Sequence, residues 1–244
     1  VIFPELIALD ALSHRATSVA REAALLRRLA REGTPKYITF FSNQAKARGV
    51  AILGGSFPRE VWFEGKAEIR NTAILALSDG RIFLQDKIFL TPEEVAWGWK
   101  PGQDLKIIEA PWGRTAILTC YDSQFPELSS LIAPFNPEII LVPSMTGEKG
   151  HARVRWSAQA RAIEHHAYVV VTVTIPPPGA GYYKGQAAFL SPQDEGFAGL
   201  LSEGQLNADQ ILTQELNLSQ LRQSRATAGI YAGRDQALRS ENSR

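Results

Sequence analysis

The sequence predicts an α/β layered fold, with one mixed sheet or two sheets covered by helices. Three observations carry that prediction. Short β-rich runs (Ala116 to Leu118, Glu138 to Val142, Tyr168 to Thr174) stop at polar or Pro-containing turns, as buried strands do. Helix-forming stretches such as Ala152 to His166 lie between such runs. The pair Asp79-Gly80 sits between Thr72–Leu77 and Arg81–Leu84, a strong two-residue hairpin signal. That hairpin breaks strict βαβ alternation, so the strands are not all parallel. No repeat or linker divides the chain, and residues 1–244 read as one domain, long enough to bury most of its surface.

Taken in order, Val1 to Phe3 is strand-like and Pro4-Glu5 ends it. A strand end needs a beginning, so residues upstream of Val1 are expected. Ser13 to Arg31 is rich in helix formers, with Gly33 closing it, and a second helix runs from Lys36 to Arg48, capped by Gly49. Val50 to Leu53 reads as a short buried strand ending at Gly54-Gly55-Ser56. After the hairpin, Gln85-Asp86-Lys87 leads into a long loop to Asp104 with two Trp and two Pro, and long structured loops usually serve function.

Strands follow at Leu105 to Glu109 and Arg114 to Thr119, then a helix from Phe125 to Ala133 with Pro126 at an early position. This puts Cys120 where a buried strand hands over to a helix. A helix N-terminus favours negative charge, so the thiol is expected to lose its proton easily there. In Ala152–His166, Val154, Ala158 and Ala162 form one stripe and Trp156, Ala160 and Ile163 another, which predicts close packing on a sheet. Arg161 and Glu164 read as a structural ion pair. The Pro176–Gly179 loop, strands near Ala187–Leu190 and Ile211–Leu216, and a polar tail from Ser219 that frays or docks on a partner complete the reading.

Composition excludes several functions. The net charge is +1, from 26 basic and 25 acidic side chains, so nothing favours nucleic acid or an acidic membrane face. No apolar run is long enough to span a membrane. With one cysteine no internal disulfide forms, which points to a reducing, cytoplasmic compartment. No C-x-x-C or H-x-x-x-H spacing suggests a metal site, and no cofactor is expected.

A lone cysteine is most often an inert core residue, so Cys120 needs company to matter. Four side chains supply a coherent set: Glu5, Lys87 and Cys120 follow strand-like runs, and Glu94 lies in the loop after Lys87. Ligand sites in α/β sheets form beyond strand carboxyl ends. A cysteine nucleophile needs a base and an oxyanion stabiliser. Of the four histidines, His14, His151, His165 and His166, none has a strand-end position, and the adjacent pair diverges by about 100° on a helix. A carboxylate base beside a lysine remains.

The motifs FPE at Phe3–Glu5, DK at Asp86–Lys87 followed by TPEE at Thr91–Glu94, and CYDSQFPE from Cys120 resemble the nitrilase superfamily of carbon–nitrogen hydrolases. The resemblance extends over GGSFP at Gly54–Pro58, NTAILALSDG at Asn71–Gly80, WGWKPG at Trp97–Gly102, LVPS at Leu141–Ser144 and QARAIEHHAYVV at Gln159–Val170. TPEE…WG and QAAFLSPQD are most similar to the nitrilase-like domain fused to an acetyltransferase in some bacteria. The resemblance implies an α-β-β-α sandwich that dimerises by stacking, with a further strand and helix expected ahead of Val1. It implies Glu5 as general base and acid, Lys87 as the cation facing the tetrahedral intermediate, Cys120 as nucleophile, Glu94 as the second active-site glutamate, and the Tyr121 N–H as the other oxyanion donor. It implies hydrolysis of a small amide through a thioester, with Tyr121-Asp122 favouring amides over nitriles. Ala187 stands where the family often has Ser. Nitrile hydrolysis, acyl transfer to an amine, a redox-sensing thiol and a silent scaffold are the alternatives. The scaffold would leave Glu5, Lys87 and Cys120 more than about 8 Å apart.

Overall fold

The computed structural model describes residues 1–7, 19–175 and 183–228, together with Tyr231 and Asp235. The start of the helix expected from Ser13, His14, the Pro176–Gly179 loop and the end of the tail lie outside the described residues.

The chain folds as four layers, helix, sheet, sheet and helix. Helix α1 (Val19–Arg48) covers a three-stranded antiparallel sheet of β1 (Ile52–Phe63), β2 (Lys66–Ala76) and β3 (Ile82–Asp86). Ile2 joins this sheet through a parallel bridge to Leu53. The second sheet runs β4 (Ile107–Ala110), β5 (Gly113–Ile117), β6 (Ile139–Ser144), β7 (Tyr168–Val173), β8 (Ala188–Asp194) and β9 (Phe197–Glu203), in that spatial order. Its central pairs β5–β6 and β6–β7 are parallel and the others antiparallel. On its outer face pack α3 (Pro126–Ile132) and α4 (Glu148–Glu164). The short helix α2 (Pro92–Ala96) interrupts the long loop, and α5 (Leu218–Thr227) follows β9.

Strand periodicity explains the layering. Along β2, Ala73 and Leu75, with Leu77 just beyond, face Ile117, Leu141 and Val170 of the second sheet, while Ala76 faces Phe41 and Ala45 of α1. Alternate side chains point to opposite faces, and both faces are covered, so the segment reads as one unbroken apolar run. An apolar cavity of ≈ 370 Å³ between the sheets is lined by Ile2, Leu53, Leu75, Trp112 and Leu216 among others, and by no charged side chain.

Several expectations are corrected. The two helices split at Gly33 are one continuous α1 with Pro35 inside it. Gly33 is there for contact: a Cβ at that position would stand 2.9 Å from the Phe57 ring. The Thr34 hydroxyl donates to Ala30 O at 2.6 Å beside the proline. The strand expected to stop at Gly54-Gly55-Ser56 continues to Phe63 through a bulge between Leu53 and Ser56. The second stripe of α4 is not packed on the sheet. Trp156 is 72 % and Ile163 50 % exposed, whereas Val154, Ala158 and Ala162 are buried. Residues 211–216 form no strand; β9 takes that place, turned back on β8 at Gly196, whose φ is +81°. The tail does not fray at Ser219. Leu221 is fully buried, and Arg225 donates to the carbonyls of Asn136, Pro137, His165 and His166.

Candidate active site

Three connections deliver the site residues, one of them both Lys87 and Glu94. Val1–Phe3 is held by Phe3 N–H to Leu53 O and Leu53 N–H to Val1 O, both 2.8 Å. The chain then turns at Glu5, whose carbonyl accepts from Thr174 Oγ1 at 2.9 Å. Gly55 makes the approach possible. It sits at φ +72°, and a Cβ there would fall 1.9 Å from Pro4 O. Lys87 follows β3, its N–H bonded to Asn71 O at 2.8 Å. Glu94 is in α2, where it forms a capping box with Thr91, so the same side chain that caps the helix reaches the site.

These residues converge. Lys87 Nζ lies 2.8 Å from Glu5 Oε1 and 2.9 Å from Glu94 Oε2. Glu5 is 2 %, Lys87 1 %, Glu94 2 % and Cys120 5 % exposed, and the Cys120 thiol lies against Met145 O, whose own N–H binds Glu5, within reach of the charges on Glu5 and Lys87. Glu5 and Lys87 therefore lie well inside the roughly 8 Å that a scaffold would exceed. Arg161 and Glu164 pair on α4 at 3.2 Å. Tyr121 packs its ring edge-on against Phe125 at 4.8 Å, and its N–H follows Cys120 directly in the turn.

Cys120 opens a single 3₁₀ turn, Cys120–Gln124, that separates β5 from α3. Its φ is +50°, a left-handed conformation costly for a residue with a Cβ and typical of functional turns. Ser123 Oγ braces the turn by donating to Cys120 O at 2.7 Å. The expectation of an easily ionised thiol is overturned. Burial, and then the neighbouring Glu5 carboxylate, push the Cys120 thiol far above its usual range, with Lys87 opposing only in part. Burial likewise raises Glu5, against the pull of Lys87. Burial alone would depress Lys87, but Glu5 and Glu94 outweigh it and hold the ammonium well above the ordinary lysine value. At neutral pH the proton rests on sulfur, with Glu5 near enough to receive it and the Lys87 ammonium paired with Glu5. That arrangement suits an attack in which proton transfer accompanies bond formation.

Three participants were not singled out from the sequence. Asn71 Nδ2 donates to Glu5 Oε1 at 2.9 Å and to Glu94 Oε1 at 2.6 Å. The Met145 N–H donates to Glu5 Oε2 at 2.9 Å, while Met145 O lies 3.7 Å from Cys120 Sγ. Asp122, fully buried, accepts from the N–H groups of Ile88 and Phe89 at 3.1 and 2.8 Å. It thereby ties the Lys87 segment to the Cys120 turn. Asn71 had a readable signal: it shares the inward alternation of Ala73, Leu75 and Leu77, yet is polar. A backbone donor such as Met145 N–H leaves none. Among the described residues no cluster of three or more metal-ligating side chains occurs, and no helix is long and apolar enough to cross a membrane.

An α/β sandwich with a buried cysteine beside a buried carboxylate–lysine pair defines a class, the nitrilase superfamily sandwiches. The chain belongs to the carbon–nitrogen hydrolase family within it, whose model matches residues 1–226. It is 30% identical over 242 residues to the probable hydrolase YhcX of Bacillus subtilis, covering 96% of this chain and 46% of that protein. It is 30% identical over 164 residues to the deaminated glutathione amidase of Homo sapiens, covering 62% of this chain and 50% of that protein. The crystal structure of Saccharomyces cerevisiae Nit3, a member of branch 10 of the nitrilase superfamily, superposes with a TM-score of 0.69 at 23% identity, over 80% of this chain and 70% of that one. The chain spans about half the length of the curated relatives it matches.

Proposed function

We propose that this chain is a single carbon–nitrogen hydrolase domain that cleaves a small amide through a thioester on Cys120. The observation that carries the reading is the buried cluster itself: Lys87 Nζ between two glutamates, one of which is joined to the turn of the only thiol through Met145. Glu5 takes the thiol proton as sulfur attacks the carbonyl carbon. The oxyanion forms against the Lys87 ammonium and the Tyr121 N–H. Glu5 returns the proton to the departing ammonia or amine, leaving the acyl group on sulfur. Glu5 then draws a proton from water, with Glu94 beside it, and the hydroxide releases a carboxylic acid and restores the thiol. Tyr121-Asp122 and the amidase name of the human relative support an amide over a nitrile.

The test is intact-mass detection of an acyl adduct, with ammonia release measured across small amides, ω-amides and carbamoyl compounds. The wild type gains the acyl mass and Cys120→Ala does not. Failure of every candidate amide to acylate the wild type overturns the reading. The motifs TPEE…WG and QAAFLSPQD support kinship with the domain fused to acetyltransferases in some bacteria, and the single thiol supports a cytoplasmic setting. A second copy of the chain is the proposed partner, supported by Trp156 and Ile163, which are seven residues apart on α4 and open to solvent. Sedimentation of Trp156→Lys as a monomer beside a wild-type dimer would bear this out, and a monomeric wild type would end it.

A further inference from the structure

We infer that Asn71 is a positioning residue of this site: it holds Glu5 and Glu94 on the Lys87 ammonium and keeps Glu5 able to accept the Cys120 proton. The inference rests on the cysteine-hydrolase reading above. Asn71 touches three of the four groups. Its amide nitrogen donates to both glutamates, at 2.9 and 2.6 Å, and its main-chain oxygen accepts the Lys87 N–H at 2.8 Å.

The charge count explains why a donor is needed there. Two buried carboxylates face one ammonium, and both approach the same nitrogen. Carboxylates crowded together force a proton onto one of them, and a protonated Glu5 is no base. The two N–H groups of Asn71 add neutral donors where a second cation is absent, and a hydrogen bond to the charged form lowers a carboxyl pKa. The side chain is fully buried, and its Oδ1 accepts no hydrogen bond among the described residues. An unpaired buried carbonyl is unfavourable, so the position is held by its donor end alone.

The experiment is the rate of Cys120 alkylation by iodoacetamide against pH, read by intact mass, for wild type, Asn71→Ala and Asn71→Ser, with circular dichroism to establish folding. In Asn71→Ala the midpoint of the pH profile moves up by about one to two units, and alkylation below it slows roughly 10- to 100-fold. Asn71→Ser keeps one donor and shifts about half as far. A structural role lowers stability without moving the midpoint, so a folded Asn71→Ala whose midpoint stays within about 0.3 units of wild type overturns the inference. If only the Ser variant folds, an unmoved midpoint there does the same. It also fails if neither variant folds, or if wild-type Cys120 resists alkylation throughout. If the midpoint moves while no amide acylates the wild type, the positioning role stands and the amide-hydrolysis reading alone falls.

Discussion

Asp122→Asn offers a test of how the site is held together. The Asp122 carboxyl is buried and accepts two backbone N–H groups. Burial pushes its pKa from 3.8 up to about 7, against the pull of the Phe89 N–H and of Lys87. The folded state therefore binds this proton more tightly than the unfolded chain. The contribution to stability is full below the unfolded pKa, near 4, and is lost as pH rises to about 7. A shift of about three units at 1.36 kcal/mol each makes the loss about 4 kcal/mol. Asparagine does not titrate, so the variant escapes it. Its oxygen keeps the two N–H groups that share Oδ1, but its NH₂ meets the Ile88 N–H that also leans on Oδ2 at 3.4 Å, a defect of about 1–2 kcal/mol at any pH. Urea unfolding of both proteins from pH 4 to 7.5 should find the variant less stable than wild type at the acid end. The order should reverse, by about 2 kcal/mol, at the neutral end. Groups that do not interact with Asp122 cancel in the difference. A stability gap that is flat with pH would refute the argument.

Lys87→Met leaves Glu5 and Glu94 buried without their cation and should cost about 3–5 kcal/mol at pH 7, less at pH 4, with no acyl adduct by mass. Gly55→Ala forces a Cβ against Pro4 O and displaces Glu5. An error of about 1 Å in a reacting group slows chemistry about 100-fold, readable as the rate of acylation. Gly49→Ala is the control, since its φ is also positive but its Cβ would meet nothing within 4 Å. Arg225→Ala unpairs the carbonyls of Asn136, Pro137, His165 and His166. It should destabilise the protein by about 2–4 kcal/mol, with faster hydrogen exchange confined to α5 and the turns it staples.

Where local chemistry decides the structure, the sequence was readable. Asp79-Gly80 announced β2–β3 because a tight turn needs those residues. Glu64-Gly65 turns the β1–β2 hairpin with both φ positive, +48° and +75°, but glutamate is no turn signal, so half of two strands was missed. Gly33 and Gly54 looked like breaks because a glycine needed for contact is indistinguishable in sequence from one needed for a turn. At Gly54 the contact is the Phe41 ring, 2.6 Å from where a Cβ would be. Residues 211–216 have strand-like character, yet a strand exists only where an edge is free to pair it. The four charged and sulfur-bearing groups could be named from their motifs. The ionisation of Cys120 could not, because it depends on burial and on a carboxylate 115 positions away in the chain.

Glu5, Asn71 and Lys87 hang from one sheet, Cys120 and Met145 from the other. The gap a proton must cross is thus gauged by hydrocarbon. Leu53, Leu75, Ile117 and Leu141 act as spacers between two plates, and a methyl group lost among them tilts one plate against its neighbour. Substitutions that never approach the sulfur can therefore tune it, and the interior of this protein belongs to its reactive centre as much as to its scaffold.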